Sequence, residues 1–195
     1  IYAAGAVQPG DEDDYFQSSL FTIARRRILW LLILVFANGL TTKVIAMNDQ
    51  ILKEIVLLAA FIPLLIGTGG NVGAQSSTVV IRGLSTQKLK SLGAFKAVIK
   101  EAITGALLGI LMMLVVFPFA WWQGEGPLIA SAVGISLISI TTLAATAGAI
   151  LPLLFDRMGL DPALMSSPFI TTVTDIAGVF IYLSTANWLL NSSIL

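Results

Sequence analysis

Eleven acidic side chains occur in the 195 residues, and one of them, Asp175, stands well inside a long apolar stretch. Asp11, Glu12, Asp13 and Asp14 crowd the amino-terminal segment. Asp49, Glu54 and Glu125 belong to links or to the ends of apolar stretches, as do Glu101, Asp156 and Asp161. From Pro168, where the last apolar stretch opens, Asp175 lies about 10 Å along a helix at 1.5 Å per residue. That is deep in a hydrocarbon layer about 30 Å thick. Thr171, Asp175, Gly178 and Tyr182 recur at helical spacing and so share one face, with Thr174 flanking it. The face combines a carboxylate, a hydroxyl and a glycine that bares backbone carbonyl oxygen, the donors that hard cations prefer. An acid within a membrane span reads first as a functional group. The bland reading is an Asp that is protonated, or paired with Lys43 or a neighbouring amide, and merely ties helices together.

Three further segments carry polar groups near or within apolar stretches. Pro63–Thr78 holds Gly67, Gly69, Gly70 and Gly73. Each glycine costs about 1 kcal/mol relative to Ala in a helix, so this density signals weakening or close contact. Gly69 and Gly73 form a small-xxx-small pair suited to helix packing. Asn71 and Gln75, four apart, put two amides on one face. They serve either as glue between helices or as the lining of a hydrated path. The run lacks the Gly-Lys-Ser/Thr ending and the preceding strand of a phosphate-cradling loop. In Gly159–Pro168, Asp161 before Pro162 suits a helix cap. It is equally placed to hold a cation at the mouth of a pore. Pro168 frees backbone carbonyls that could line such a pore. Asp11–Asp14, followed by Tyr15, Phe16, Leu20, Phe21 and Ile23, reads as an interfacial amphipathic helix. Its acids are either simply solvated or bind divalent cations at the mouth.

These groups need elements to hold them, and composition names the class. Hydrophobic residues make up 56% of the chain and charged ones 11%, with a mean hydropathy of +0.91. A soluble domain carries about 25% charged residues, so the apolar excess must face lipid. The chain has no Cys and no His, which leaves oxygen ligands as the practical metal chemistry. Five stretches reach the roughly 20 apolar residues of a spanning helix: Ile28–Met47, Ile55–Ile81, Ala102–Trp121, Leu128–Phe155 and Pro168–Leu190. The second and fourth exceed a perpendicular crossing, which predicts tilt, a break or extension beyond the bilayer. No strand-like alternation suggests a barrel. Nine of the eleven basic residues (Arg25, Arg26, Arg27, Arg82, Lys88, Lys90, Lys96, Lys100, Arg157) fall on one side of this arrangement. Lys43 and Lys53 fall on the other. The positive-inside rule then puts the amino terminus in the cytoplasm and the carboxyl terminus outside. Trp30, Trp121, Trp122 and Trp188 sit at the expected interfaces. No internal repeat is evident. Residues 1–27 form a connecting segment, residues 28–195 a five-helix membrane domain. The acids preceding Arg25–Arg27 exclude a signal peptide, and a start at Ile1 rather than Met points to a fragment.

Three motifs in order, Pro63–Ser77, Gly159–Pro168 and Phe169–Gly178, resemble the transmembrane domain of the MgtE magnesium channels. The resemblance covers nearly the whole chain, and Ala3–Arg27 is similar to the plug helix preceding the first crossing in that family. It implies a homodimeric pore in the cell membrane, lined by the second and fifth helices. It implies that Asp175 of both protomers selects the ion, that Thr171 and Gly178 line its path, and that Asp161 binds metal at the cytoplasmic side. Asn71, Gln75, Thr174 and Ser167 are further pore-lining candidates. Ala74 and Ser167 depart from the side-chain amides expected at their positions. The cytosolic sensor domains of full-length bacterial members do not lie within these residues. The expected activity is passive influx of Mg²⁺, with the bilayer and a second copy as partners and no nucleic acid. The rival readings are an exchanger of Mg²⁺ for Na⁺ or H⁺, and a non-conducting scaffold. An enzyme is disfavoured: no helix pairs two carboxylates, and His and Cys are absent.

Overall fold

The computed structural model describes residues 19–87, 89 and 93–192, and among them every regular element is helical. α1 spans Leu20–Met47, a short α2 spans Asp49–Glu54, and α3 spans Val56–Ser85. α4 (Ala94–Ala120) passes through a π turn (Trp121–Glu125) into α5 (Gly126–Arg157), and α6 covers Pro162–Ser192. The acidic and aromatic residues expected to form an interfacial helix, Asp11–Asp14 with Tyr15 and Phe16, lie outside the described residues.

Four segments are long and apolar enough to cross a membrane: Val56–Ser85, Ala94–Gln123, Gly126–Arg157 and Pro168–Asn191. They correspond to the second to fifth stretches expected from sequence. The first differs. Among the described residues the apolar part of α1 is Leu31–Met47, about 26 Å at 1.5 Å per residue. The helix itself begins at Leu20, so the arginine triplet lies within it rather than before it. The glycine-rich stretch does not break α3, which runs unbroken for 30 residues with Pro63 inside it.

The links are short, and local chemistry fixes them. After α5 the amide of Leu160 donates to the Phe155 carbonyl (2.9 Å) and that of Gly159 to Asp156 (3.1 Å). This double closure needs a left-handed residue, and Gly159 supplies it at φ +72°. Asp161 then opens α6: its Oδ1 accepts from the Ala163 amide at 2.8 Å. The cap expected from the Asp-Pro pair is present. Gly126, also at φ +72°, turns the chain from the π turn into α5. At the far end of α6, Asn187 Nδ2 donates to Asn48 Oδ1 at 3.3 Å, joining it to the end of α1.

α5 is the central post, packed against α3, α4 and α6. Its buried face is dominated by small residues, among them Ala130, Ala132, Gly134, Ser136, Ala144, Ala145, Gly148 and Ala149. Lipid chains are as apolar as leucine, so helices in a bilayer gain little by hiding apolar surface from one another. Close approach of backbones gives dispersion contact instead. A Cβ added to Gly148 would strike the carbonyl oxygen of Gly73 on α3. One added to Gly73 would lie 2.5 Å from Ile170 of α6 and 3.2 Å from the Ala144 carbonyl oxygen. On the other side, a Cβ on Gly105 of α4 would lie 2.6 Å from the carbonyl oxygen of Thr141. The Thr141 hydroxyl lies 2.8 Å from the Gly105 carbonyl oxygen, a hydrogen bond across the same contact.

Filling such a contact costs about 1–3 kcal/mol in an ordinary core, and a backbone atom cannot step aside. Gly148→Leu should lower the thermal unfolding midpoint of the purified protein by about 5 °C. Gly39→Leu on α1, where nothing lies within 4 Å of the added carbon, should leave it unchanged. Equal midpoints for the two variants would refute backbone interlock as the source of cohesion.

Candidate functional site

Asp175 comes from the middle of α6, thirteen residues beyond Pro162. The register of α6 against α3 determines where it points. Thr174 lies beside Gly69, whose Cβ would stand 3.7 Å from the Thr174 Cβ, and Gly70 stands in the same way 3.8 Å from Thr171. Residues 69 and 174 therefore face the α5 side of the seam. One step along a helix turns a side chain by about 100°, so Asp175 on α6 and Gly70 on α3 are rotated off this contact, toward the flank of the seam. The two helices run antiparallel, since Gly69 meets Thr174 while Gly73 meets Ile170.

On that flank the surface is polar and open. Asn71, Gln75 and Thr78 are exposed along α3 together with Gly67, at spacings of four, four and three. A Cβ on Gly67 would meet nothing within 4 Å. Thr171 is exposed and Asp175 half-buried on the facing part of α6. Among the described residues, Asp175, Asn71 and Gln75 make no hydrogen bond or ion pair. Lys43, the partner considered for Asp175 from sequence, is exposed on α1 and forms no described pair with it.

The other expected site residues lie as follows. Thr174 is completely buried, and its hydroxyl donates to the Thr171 carbonyl at 2.9 Å. The Thr171 hydroxyl donates to the Pro168 carbonyl at 3.0 Å, leaving its oxygen lone pairs toward the open flank. Gly178 is buried, with atoms of Ile140 3.7 Å from where a Cβ would be. Tyr182 is fully buried two turns beyond Thr174. The helical face holding Thr171, Asp175, Gly178 and Tyr182 thus passes from an open flank into the core of the bundle. Asp161 is exposed at the α5–α6 turn, with Oδ1 committed to its cap. The side chain of Ser167 lies outside the described residues. Pro168 is inside α6, and by lacking an N–H it leaves the carbonyl of Leu164 without its usual helical donor.

No cluster of three acids, His or Cys capable of caging a metal occurs among the described residues. Midway along a crossing, one chain presents the Asp175 carboxylate, with the Thr171 hydroxyl on its own helix and the exposed amides of Asn71 and Gln75 on α3. Such a set suits outer-sphere attraction of a hydrated cation better than stripping its water.

One contact was not legible in the sequence. Ser76, buried on α3, donates to Glu101 Oε2 of α4 at 2.7 Å. Glu101 reads from sequence as a boundary acid, and nothing in its local pattern points to a partner 25 residues away.

A family model described as a divalent cation transporter, MgtE, matches residues 62–185. Among curated proteins, a magnesium transporter MgtE of Thermus thermophilus is 36% identical over 192 residues, 98% of this chain and 42% of the relative. One of Enterococcus faecalis is 36% identical over 168 residues, 84% and 36% of the two chains. One of Bacillus subtilis is 32% identical over 182 residues, 93% and 40%. The chain thus spans about two fifths of the length of the relatives it matches. The matched residues run from α3 to α6 and include Asp175 and the glycine-rich stretch. With its apolar helices, this chain is a multi-pass membrane protein and belongs to the MgtE family.

Proposed function

We propose that the chain forms the pore of a Mg²⁺-preferring channel in the cell membrane. Two copies meet along the open flank of α3 and α6, each contributing five crossings, with α1 as the first. The observation that carries this reading is the unpaired Asp175 midway along the spanning helix α6, with Asn71 and Gln75 exposed on the neighbouring spanning helix α3. Polar groups there are too costly to face acyl chains. A water-filled path between two protomers gives all of them a solvent and brings two carboxylates to one place. The relatives' designation as magnesium transporters supports Mg²⁺ as the cargo.

Mg²⁺ dehydrates reluctantly. Paired Asp175 carboxylates, with Thr171 and the amides, hold the hydrated ion by charge and by hydrogen bonds to its waters. Thr174 and Gly178 shape the same stretch from behind. Asp161 meets the ion at the inner mouth: one carboxylate oxygen caps α6, and the other is left for the cation. Ser167 and the carbonyls near Pro168 continue the path. Mg²⁺ is the cargo here, not a resident cofactor. Residues 1–27 connect to the mouth from the cytoplasm, and the carboxyl terminus lies outside. Passive influx follows the membrane potential, which for a double charge contributes about 4.6 kcal/mol per 100 mV.

In liposomes with a Mg²⁺-sensitive dye, Asp175→Ala should slow uptake at least about tenfold, equivalent to roughly 1.4 kcal/mol. Uptake at the wild-type rate would remove Asp175 from the path. Uptake should also grow with an inside-negative potential and persist when Na⁺ and pH gradients are abolished; flux that ceases without them belongs to an exchanger. Because the chain has no cysteine, the interface can be probed cleanly. Asn71→Cys should yield dimers with a short bifunctional thiol reagent in membranes. Val115→Cys, exposed on α4, should not. The reverse pattern would move the interface to the other side of the bundle.

A further inference from the structure

At the end of the bundle away from the π turn, α3 finishes and α4 begins, and the two helices touch each other only sparingly. The space between them is a cavity of about 340 Å³, lined by Val79, Val80, Arg82, Leu89, Lys100 and Glu101 among others. Gly83 helps form it: a Cβ there would collide with the Leu89 side chain, which lies across α3 at that point. A shallower groove of about 380 Å³ on the outside of α4 shares Lys100 and adds Phe95, Lys96, Ile99 and Ile103.

The lining divides by chemistry. Val79 is 57% exposed and Phe95 77%, so the walls open toward the apolar surroundings of the bundle. Arg82 and Lys100 stand at the helix ends and make no ion pair among the described residues. Glu101 is engaged inward by the Ser76 hydroxyl at 2.7 Å. That hydrogen bond turns one carboxylate oxygen toward α3, and Arg82, Lys96 and Lys100 outnumber the remaining negative charge around the two openings.

We infer that this cavity binds the phosphate headgroup of an anionic phospholipid. Arg82 offers a planar fork that matches phosphate oxygens, and Lys100 adds a point charge on a stem long enough to reach the interface. Basic pockets between membrane helices take anionic headgroups in this manner. The acyl chains lie along Val79, Ile99 and Ile103. A free phosphate would satisfy the cations but leave those apolar walls unused, so the occupant is a lipid. Its presence fills the gap between α3 and α4, and so supports the helix that carries Asn71 and Gln75.

Native mass spectrometry of the purified chain, released from detergent in the presence of phosphatidylglycerol or phosphatidylcholine, tests this directly. Phosphatidylglycerol should stay bound, and phosphatidylcholine should not. The double variant Arg82→Gln/Lys100→Gln should retain phosphatidylglycerol about 25-fold less, from about fivefold per basic residue at an anionic surface. Lys43→Gln/Lys53→Gln, which removes the same charge at other helix ends, should bind as the wild type does. Should the first double variant fold poorly, Val79→Trp fills the cavity without altering charge and should likewise lose the lipid. Unchanged retention in the variants of Arg82, Lys100 or Val79 would overturn the site. So would equal retention of phosphatidylcholine, or full displacement by inorganic phosphate.

Discussion

The fold rests on backbone-to-backbone contact between helices, because nothing else of comparable strength operates between apolar helices in lipid. Gly73 and Gly148 touch at the α3–α5 crossing, and Gly105 and Thr141 at the α4–α5 crossing. A side chain in either contact would force the helices apart. Once α5 is seated against both neighbours, α6 has one register in which Ile170 meets Gly73 and Thr174 meets Gly69. That register holds Asp175 half-buried, one position beyond the contact of Thr174 with Gly69. The orientation of the one intramembrane acid is therefore a consequence of glycines on another helix.

A second theme is the treatment of hydroxyls. Thr68, Thr78, Thr104, Thr142 and Thr146 each donate to the carbonyl four residues earlier in their own helix. Such internal bonds hide the hydroxyl proton from lipid at little cost. A carboxylate has no proton to give when ionised, and an amide side chain carries more polar capacity than one carbonyl can absorb. Asp175, Asn71 and Gln75 are thus among the groups that helical back-bonding leaves unsatisfied. They lie on α3 and α6, the two helices that meet where Gly70 faces Thr171.

Much of this was legible in the sequence, for physical reasons. A run of apolar residues long enough to span lipid is a strong signal, and four of the expected crossings coincide with helices of the fold. The Asp161–Pro162 pair announced its cap, because a cap is a local device. The Gly69–Gly73 pair pointed to packing, which the contacts with Ile170 and Ala144 bear out. What stayed hidden depends on tertiary partners. The central role of α5 is visible only once its small residues are seen against three neighbours. Gly178 and Asp175 share a helical face by spacing, yet only the structure separates the half packed on Ile140 from the half that stays open. The Ser76–Glu101 bond joins residues 25 apart, beyond the reach of any periodicity. Arg25–Arg27, read from sequence as preceding the first crossing, lie within α1, which begins upstream of them.

The π turn between α4 and α5 has a mechanical side. With five residues of continuous helical hydrogen bonding leading to Gly126 at the corner, that hairpin contains little slack. Locked again lower down by Gly105 and Thr141, its two arms form a stiff strut that neither splays nor slides. Any widening of the bundle must then be accommodated at the seams of α1, α3 and α6. The polar flank lies on two of those three helices, so compliance and hydrophilicity are concentrated on the same side of the molecule.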